Sequence, residues 1–328
     1  MKHINKIFLF SYLLITMFAL VSCQKEDIDE FIPDPISGPD STWYNIIDNT
    51  MPVSQLKSTL LMDLLQDSFP VNGTTLFNAN SGLQFLFPPE SLSTLNNQPV
   101  SGNVKLETHL LRKKGHLIRM GTPTVSNGKL MVSDGTIFVR FTQNGNELKV
   151  SPQRNISISF SNPSPSLQMR KFDGEVSSTT IFNWIQNPDS ANNHVTISNQ
   201  MYQVTTNTLR WINCGRIYEN PVIPETIVSA ILPFNYTNAN SIAFTVFNDM
   251  NSVAGMYGNA SSRQFKTVRL PSNRPITVVV LSKQGNDYFM GHVQATTSSV
   301  PGTVSNTAVT ITPVITTLSN IISYLESL

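Results

Sequence analysis

From Val71 onward, apolar residues recur at every second position. Leu83, Phe85 and Phe87 alternate up to Pro88-Pro89. Val104, Leu106 and Thr108 follow Gly102, and Ile137, Val139 and Phe141 follow Asp134-Gly135. Ile156, Ile158 and Phe160 run into the loop Asn162-Pro163-Ser164-Pro165. Successive side chains of a strand point to opposite faces, so a period of two describes a half-buried strand. Asp134-Gly135 and Asn144-Gly145 read as hairpin turns, because both residue types tolerate positive φ. Short strands about ten residues apart point to a β-sandwich. No helical segments alternate with them, which excludes a parallel α/β sheet.

The pattern divides the chain. Phe182-Asn183-Trp184, Tyr202, Val204, Leu209 and Trp211 read as the closing strands of a first sandwich, residues 70–220. Pro221 and Pro224 mark a boundary, and alternation resumes through Ile242, Phe244, Val246, Ile276, Val278 and Val280 into a second sandwich, 221–312. Ahead of them, residues 42–69 form an N-terminal helical segment. Pro52 there suits the first helical position, and Val53, Leu56, Leu60, Leu61, Leu64 and Leu65 recur at helical spacing over 52–67. At the other end, Pro313 opens a C-terminal helix, 313–328, with Val314, Leu318, Ile321, Ile322 and Leu325 on one face. The expected fold is mainly β: two tandem antiparallel β-sandwich (Ig-like) domains with a short N-terminal helix and a C-terminal helix.

Residues 1–22 carry a basic start (Lys2, His3, Lys6) and an apolar run from Ile7 to Val21. A run of fifteen residues is too short to span a bilayer comfortably and suits a secretory signal. Leu20-Val21-Ser22-Cys23 resembles the lipobox of bacterial lipoproteins, in which the Cys becomes the first mature residue and carries acyl chains of the palmitate kind. Several such chains make a stable membrane anchor. Gln24, Lys25, Glu26 and Asp27 open an acidic run that resembles the tag sending lipoproteins of Bacteroidota to the outer face of the outer membrane. Pro33, Pro35, Gly38 and Pro39 continue it as an extended tether over 23–41. The expected location is the outer membrane, lipid-anchored, facing the cell exterior.

Charge is sparse, at 13% Asp, Glu, Lys and Arg with a net charge of +1, and roughly 30% of the chain is Asn, Ser or Thr. A near-neutral chain offers no footprint for nucleic acid. The local basic cluster, Arg112-Lys113-Lys114 with His116 and Arg119, reads as a solvated hairpin tip. His109 and His116 lie in its positive field, which opposes a metal cation. With Cys23 acylated, Cys214 stands alone and reads as a small buried hydrophobe, so no metal or cofactor is expected. His-Glu-x-x-His, Gly-x-Ser-x-Gly and the phosphate-binding loop are absent. Glu90, Glu107, Asp173 and Glu175 are scattered, whereas glycoside hydrolysis needs two carboxylates on one bond. The expectation is no enzyme. Trp184 and Trp211 read as core residues near a buried Cys214.

Ser41 in Asp40-Ser41-Thr42 and Ser190 in Asp189-Ser190-Ala191 resemble the sites at which Bacteroidota O-glycosylate exported proteins. The stretches Leu83 to Glu90, Gln98 to Val104, Gly121-Thr122-Pro123-Thr124, Val132-Ser133-Asp134-Gly135 and Leu209 to Cys214 resemble uncharacterised Bacteroidota outer-membrane surface lipoproteins. In these an extracellular β-sandwich often accompanies carboxypeptidase-regulatory-like domains. The resemblance covers roughly 80–215, and this chain lacks the regulatory-like domain. It implies a non-catalytic structural or adhesive module that meets the membrane through its anchor and a surface protein or glycan through its folded part. The alternative is a glycan-binding accessory lipoprotein of an outer-membrane nutrient-uptake system, with aromatic rings stacking on sugars.

Overall fold

In the computed structural model, which describes residues 41–73, 75–176, 182–188, 190–219 and 224–328, the organising element is the strand Lys129–Gln143. It pairs with Asn103–Leu111 on one side and Arg210–Ile217 on the other. Leu65–Pro70 extends the sheet at one edge, and Arg170–Val176 with Phe182–Gln186 extends it at the other. A second sheet runs His194–Ser198, Met201–Thr206, Ile156–Ser161, Gln84–Leu86, Leu76–Asn78. Phe85, Ile158 and Tyr202 from the second sheet meet Leu106, Val139, Phe141, Ile212 and Cys214 from the first in one buried core. The alternating residues of the sequence are the ones that fill it.

Two Asn-Gly hairpins form. Asn144 and Gly145 adopt φ of 49° and 80° between Gln143 and Asn146, and Asn127 and Gly128 adopt 47° and 78° between Ser126 and Lys129. Asp134-Gly135 forms no turn. It lies inside the long strand, where a Cβ on Gly135 would sit 2.9 Å from the Phe160 ring. The glycine admits a ring from the facing sheet rather than reversing the chain.

Residues 225–316 build a third, eight-stranded sheet in the order Ser305–Thr310, Glu225–Ile231, Gln264–Pro271, Val253–Asn259, Ser241–Phe247, Pro275–Gln284, Asp287–Thr296, Val314–Thr316. Its first pair is parallel, against the antiparallel expectation. All seven residues of Ser241–Phe247 are buried, because both faces are covered. Ala243, Phe265 and Val278 fill a core on one face, which Val125 and Leu130 of the first region also enter. Ile242, Phe244 and Val279 face the helices α1 (Pro52–Leu60), α2 (Lys114–Arg119) and α3 (Leu318–Glu326). Residues 41–328 thus form one compact unit in which the two β regions share cores.

Both terminal helices are shorter than expected. α1 ends at Leu60, and Leu65–Pro70 leaves to pair with Asn103–Leu111 and bury Phe69. Leu61 and Leu65 stay 54% and 40% exposed, so their spacing came from two elements and not from one helical face. α3 starts after Thr317, whose hydroxyl caps the N–H of Asn320. Val314–Thr316 pairs with Tyr288–Met290 as an edge strand, leaving Val314 and Ile315 about two-thirds exposed. The signal 1–22, Cys23, Gln24, Lys25, Glu26, Asp27 and the tether up to Asp40 lie outside the described residues, as do Asp189 and Pro221.

Candidate functional site

The basic cluster is not a solvated hairpin tip. Lys114 to Arg119 form α2, and Lys113, His116 and Arg119 are directed at α3, whereas Arg112 donates to Ser161 O. Lys113 Nζ donates to the main-chain O of Glu326 (3.0 Å) and to its Oε2 (3.2 Å). His116 Nε2 lies 2.7 Å from Oε2, and Arg119 Nη1 donates to Oε1 at 3.0 Å. Arg119 Nε also donates to the terminal carbonyl of α1, Leu60 O (3.0 Å), where a cation complements the helix dipole. Lys114 Nζ donates to Phe247 O of the third sheet at 2.8 Å. The His116 hydrogen bond, then those of Lys113 and Arg119, pull the Glu326 carboxyl down to about 2. His109 is pushed down by burial and by the positive charges of His116 and Arg119. Among the described residues no three His, Cys, Asp or Glu side chains gather where a metal could bind.

Beside this clamp, α1, the turn after α2 and the third sheet enclose a cavity of about 290 Å³. Leu61, Met120, Phe182, Phe244 and Met256 supply apolar walls, and Tyr257 and Lys57 bring polar ends. Its volume sits at the lower end of small-molecule pockets. It can take an apolar group, and it holds no carboxylate or histidine that could act as acid or base.

The indoles are occupied. Trp184 is fully buried, donates from Nε1 to Pro123 O (2.9 Å) and meets the Phe182 ring edge-on at 4.8 Å. Trp211 is half-buried between Phe138 (4.9 Å) and Phe182 (6.2 Å), and Trp43 rests on Phe265 at 5.2 Å. The expectation of two core tryptophans is met fully by Trp184 and half by Trp211. Cys214 is buried as expected, but in the sandwich core, whereas Trp184 packs with Phe172 and Met131 in another cluster. Burial, then the nearby Asp134 charge, pushes the Cys214 thiol well up, so it stays protonated and inert. Comparison with protein-family models and with curated proteins finds no match.

The scattered carboxylates remain separate. Glu107 is buried and held by Arg140 and Lys105, on a groove of about 510 Å³. Glu90 faces Arg154 at 3.7 Å on a different groove of about 530 Å³. Each of these grooves thus offers one carboxylate already opposed by an arginine. Asp173 pairs with Lys171, and Glu175 is exposed. Ser190 is exposed, with its Oγ accepting from the N–H of Asn192 (3.3 Å), and Ser41 is half-buried. Residue spacing carried no signal for the Glu326 clamp, because Glu326 and its partners lie 207 to 213 residues apart in the chain.

Proposed function

We propose that the chain is a surface-displayed lipoprotein acting as a non-catalytic structural or adhesive module. Cys23 is its acylated anchor, Gln24, Lys25, Glu26 and Asp27 are its export tag, and two tandem Ig-like β-sandwiches are the displayed part. One observation carries the reading: the three tryptophans, the buried Glu107 and three members of the basic cluster are spent on internal contacts. Lys113, His116 and Arg119 bind Glu326, Glu107 binds Arg140, and all three indoles pack on neighbouring rings. A scaffold clamped in this way suits transmission of force and presentation of surface better than turnover. Exposed Ser190 is compatible with decoration by glycan.

Metabolic labelling with a fatty-acid probe tests the anchor: Cys23→Ala should lose label and membrane retention, and equal labelling of mutant and parent would refute it. Protease shaving of intact cells tests display. Cleavage should fall when Lys25, Glu26 and Asp27 are replaced by Ala. Beads coated with the purified protein should retain cells or matrix under flow. A positive glycan array without such retention would favour the nutrient-uptake alternative.

A further inference from the structure

Lys171 is the one lysine or arginine buried among the described residues, with no exposed surface. It lies on Arg170–Val176 opposite Cys214, so it faces the interior of the first sandwich. Its Nζ meets three oxygens: Asp173 Oδ1 at 2.8 Å, Asn193 Oδ1 at 2.9 Å and Thr208 Oγ1 at 2.8 Å. Asp173 shares the strand face two residues on. Asn193 immediately precedes His194–Ser198, the edge strand of the facing sheet. Thr208 Oγ1 donates to Asp173 Oδ1 (2.8 Å), and Asn187 Nδ2 donates to the other carboxylate oxygen. The amine of one sheet is therefore held against the side-chain amide of the other, with a carboxyl group touching the same nitrogen.

Burying an ammonium–carboxylate pair is costly, and passing one proton from nitrogen to oxygen removes both charges. Burial pushes the Lys171 ammonium down, opposed by the Asp173 charge. An amine relieved of its proton in this site is a nucleophile. Asn193 is an electrophile held in place, since its backbone exchanges hydrogen bonds with Ser190 at 2.9 and 3.2 Å. Such positioning turns a very slow bimolecular amide exchange into an intramolecular one.

We propose that Lys171 and Asn193 join in an intramolecular isopeptide bond that staples the two sheets of the first sandwich, with Asp173 as the acid–base group. The Lys171 Nζ lone pair attacks Cγ of Asn193, and the amide π pair moves onto Oδ1. Asp173, already carrying the proton passed from the ammonium, delivers it to Nδ2 and then takes the second proton lost from Nζ. As the carbonyl re-forms, the Cγ–Nδ2 bond breaks and ammonia leaves. One C–N bond forms and one breaks, with no oxidant, metal or cofactor. The product replaces a buried ion pair by a neutral amide.

Mass spectrometry of the purified full-length protein tests this. Trypsin alone should fail to cut after Lys171 and yield the 171–210 peptide, lighter by one ammonia. Adding a glutamate-specific protease, which cuts at Glu175, should release a branched peptide containing both residues. Recovery of linear peptides bearing intact Lys171 and Asn193 from folded protein would overturn the bond. So would an ammonia loss confined to the Asn193 peptide, which marks succinimide chemistry. Lys171→Arg and Asp173→Asn should restore full mass, with circular dichroism reporting whether each folds. A folded Asp173→Asn protein that still cross-links would overturn the role given to Asp173. The readings on the unmutated protein stand whether or not the variants fold.

Discussion

His116 Nε2 and Glu326 Oε2 lie 2.7 Å apart although 210 residues separate them in the chain. That contact ties the helix between two strands of the first β region to the last helix of the chain. Both helices cover the same face of the third sheet, so the ion cluster and the apolar packing of Leu117, Ile118, Ile321 and Leu325 act together. The apolar contacts supply most of the stabilisation, and the charges fix the register of α3 against α2.

Acid should expose the clamp. Glu326 titrates at about 2 in the fold against an ordinary 4.5. A carboxyl more acidic when folded adds stability above its unfolded pKa, and that stability drains as pH falls through the folded one. Glu326→Gln should therefore melt below the parent at neutral pH. The side chain is one-third exposed, so solvent screening holds the loss to about 1 kcal/mol. The two melting curves should converge between pH 4.5 and 2. A constant gap across that range would mean that the ion cluster contributes nothing.

Gly115 is where α2 touches α3, and an added Cβ would fall 1.8 Å from the main-chain O of Leu325. Gly115→Ala must push α3 away, at a cost of about 1–3 kcal/mol, as for other overpacked sites. Urea unfolding measures it, and hydrogen exchange should rise first in Leu318–Glu326. Unchanged protection there would show that α3 docks loosely.

Trp184 and Trp211 should separate in a mutational test. Trp184→Ala removes a fully buried indole and leaves Pro123 O without its donor, a loss of about 3–5 kcal/mol. Trp211→Ala should cost less, because that ring is half-buried. In Trp43→Phe backgrounds, acrylamide should quench Trp211 and spare Trp184. Equal quenching of both would contradict the packing described.

Asp134 gives the opposite pH sign. Burial, its largest influence, raises its pKa despite the hydrogen bond from Tyr202 and the nearby arginines. A carboxyl less acidic when folded loses stability as pH rises through its folded pKa. Asp134→Asn keeps an acceptor for the Tyr202 hydroxyl and removes the charge. It should equal or exceed the parent in melting temperature at pH 7, with the advantage shrinking toward acid. A growing advantage at low pH would reverse the assignment.

Alternation alone located the sandwich core. Leu83, Phe85, Phe87, Ile137, Val139 and Phe141 are buried because a strand's period of two is a local property. Asn144-Gly145 likewise marked a hairpin, since its positive φ values depend on those two residues alone. The rest required contacts between distant segments. Asp134-Gly135 carries the same turn signal, yet lies in a strand because Phe160 of the facing sheet fills the space beside the glycine. Leu64 and Leu65 continued a helical pattern, but pairing with Asn103–Leu111 drew Leu65 into a sheet. Arg112, Lys113 and Lys114 resembled a solvated run, because nothing local announces their partners: Ser161 O, the Glu326 carboxylate and Phe247 O. Composition and period therefore set the element types and the buried faces. Only the tertiary structure brought Lys171 to Asn193 and His116 to Glu326, since ion pairs and close approaches depend on three-dimensional distance, which residue spacing does not encode.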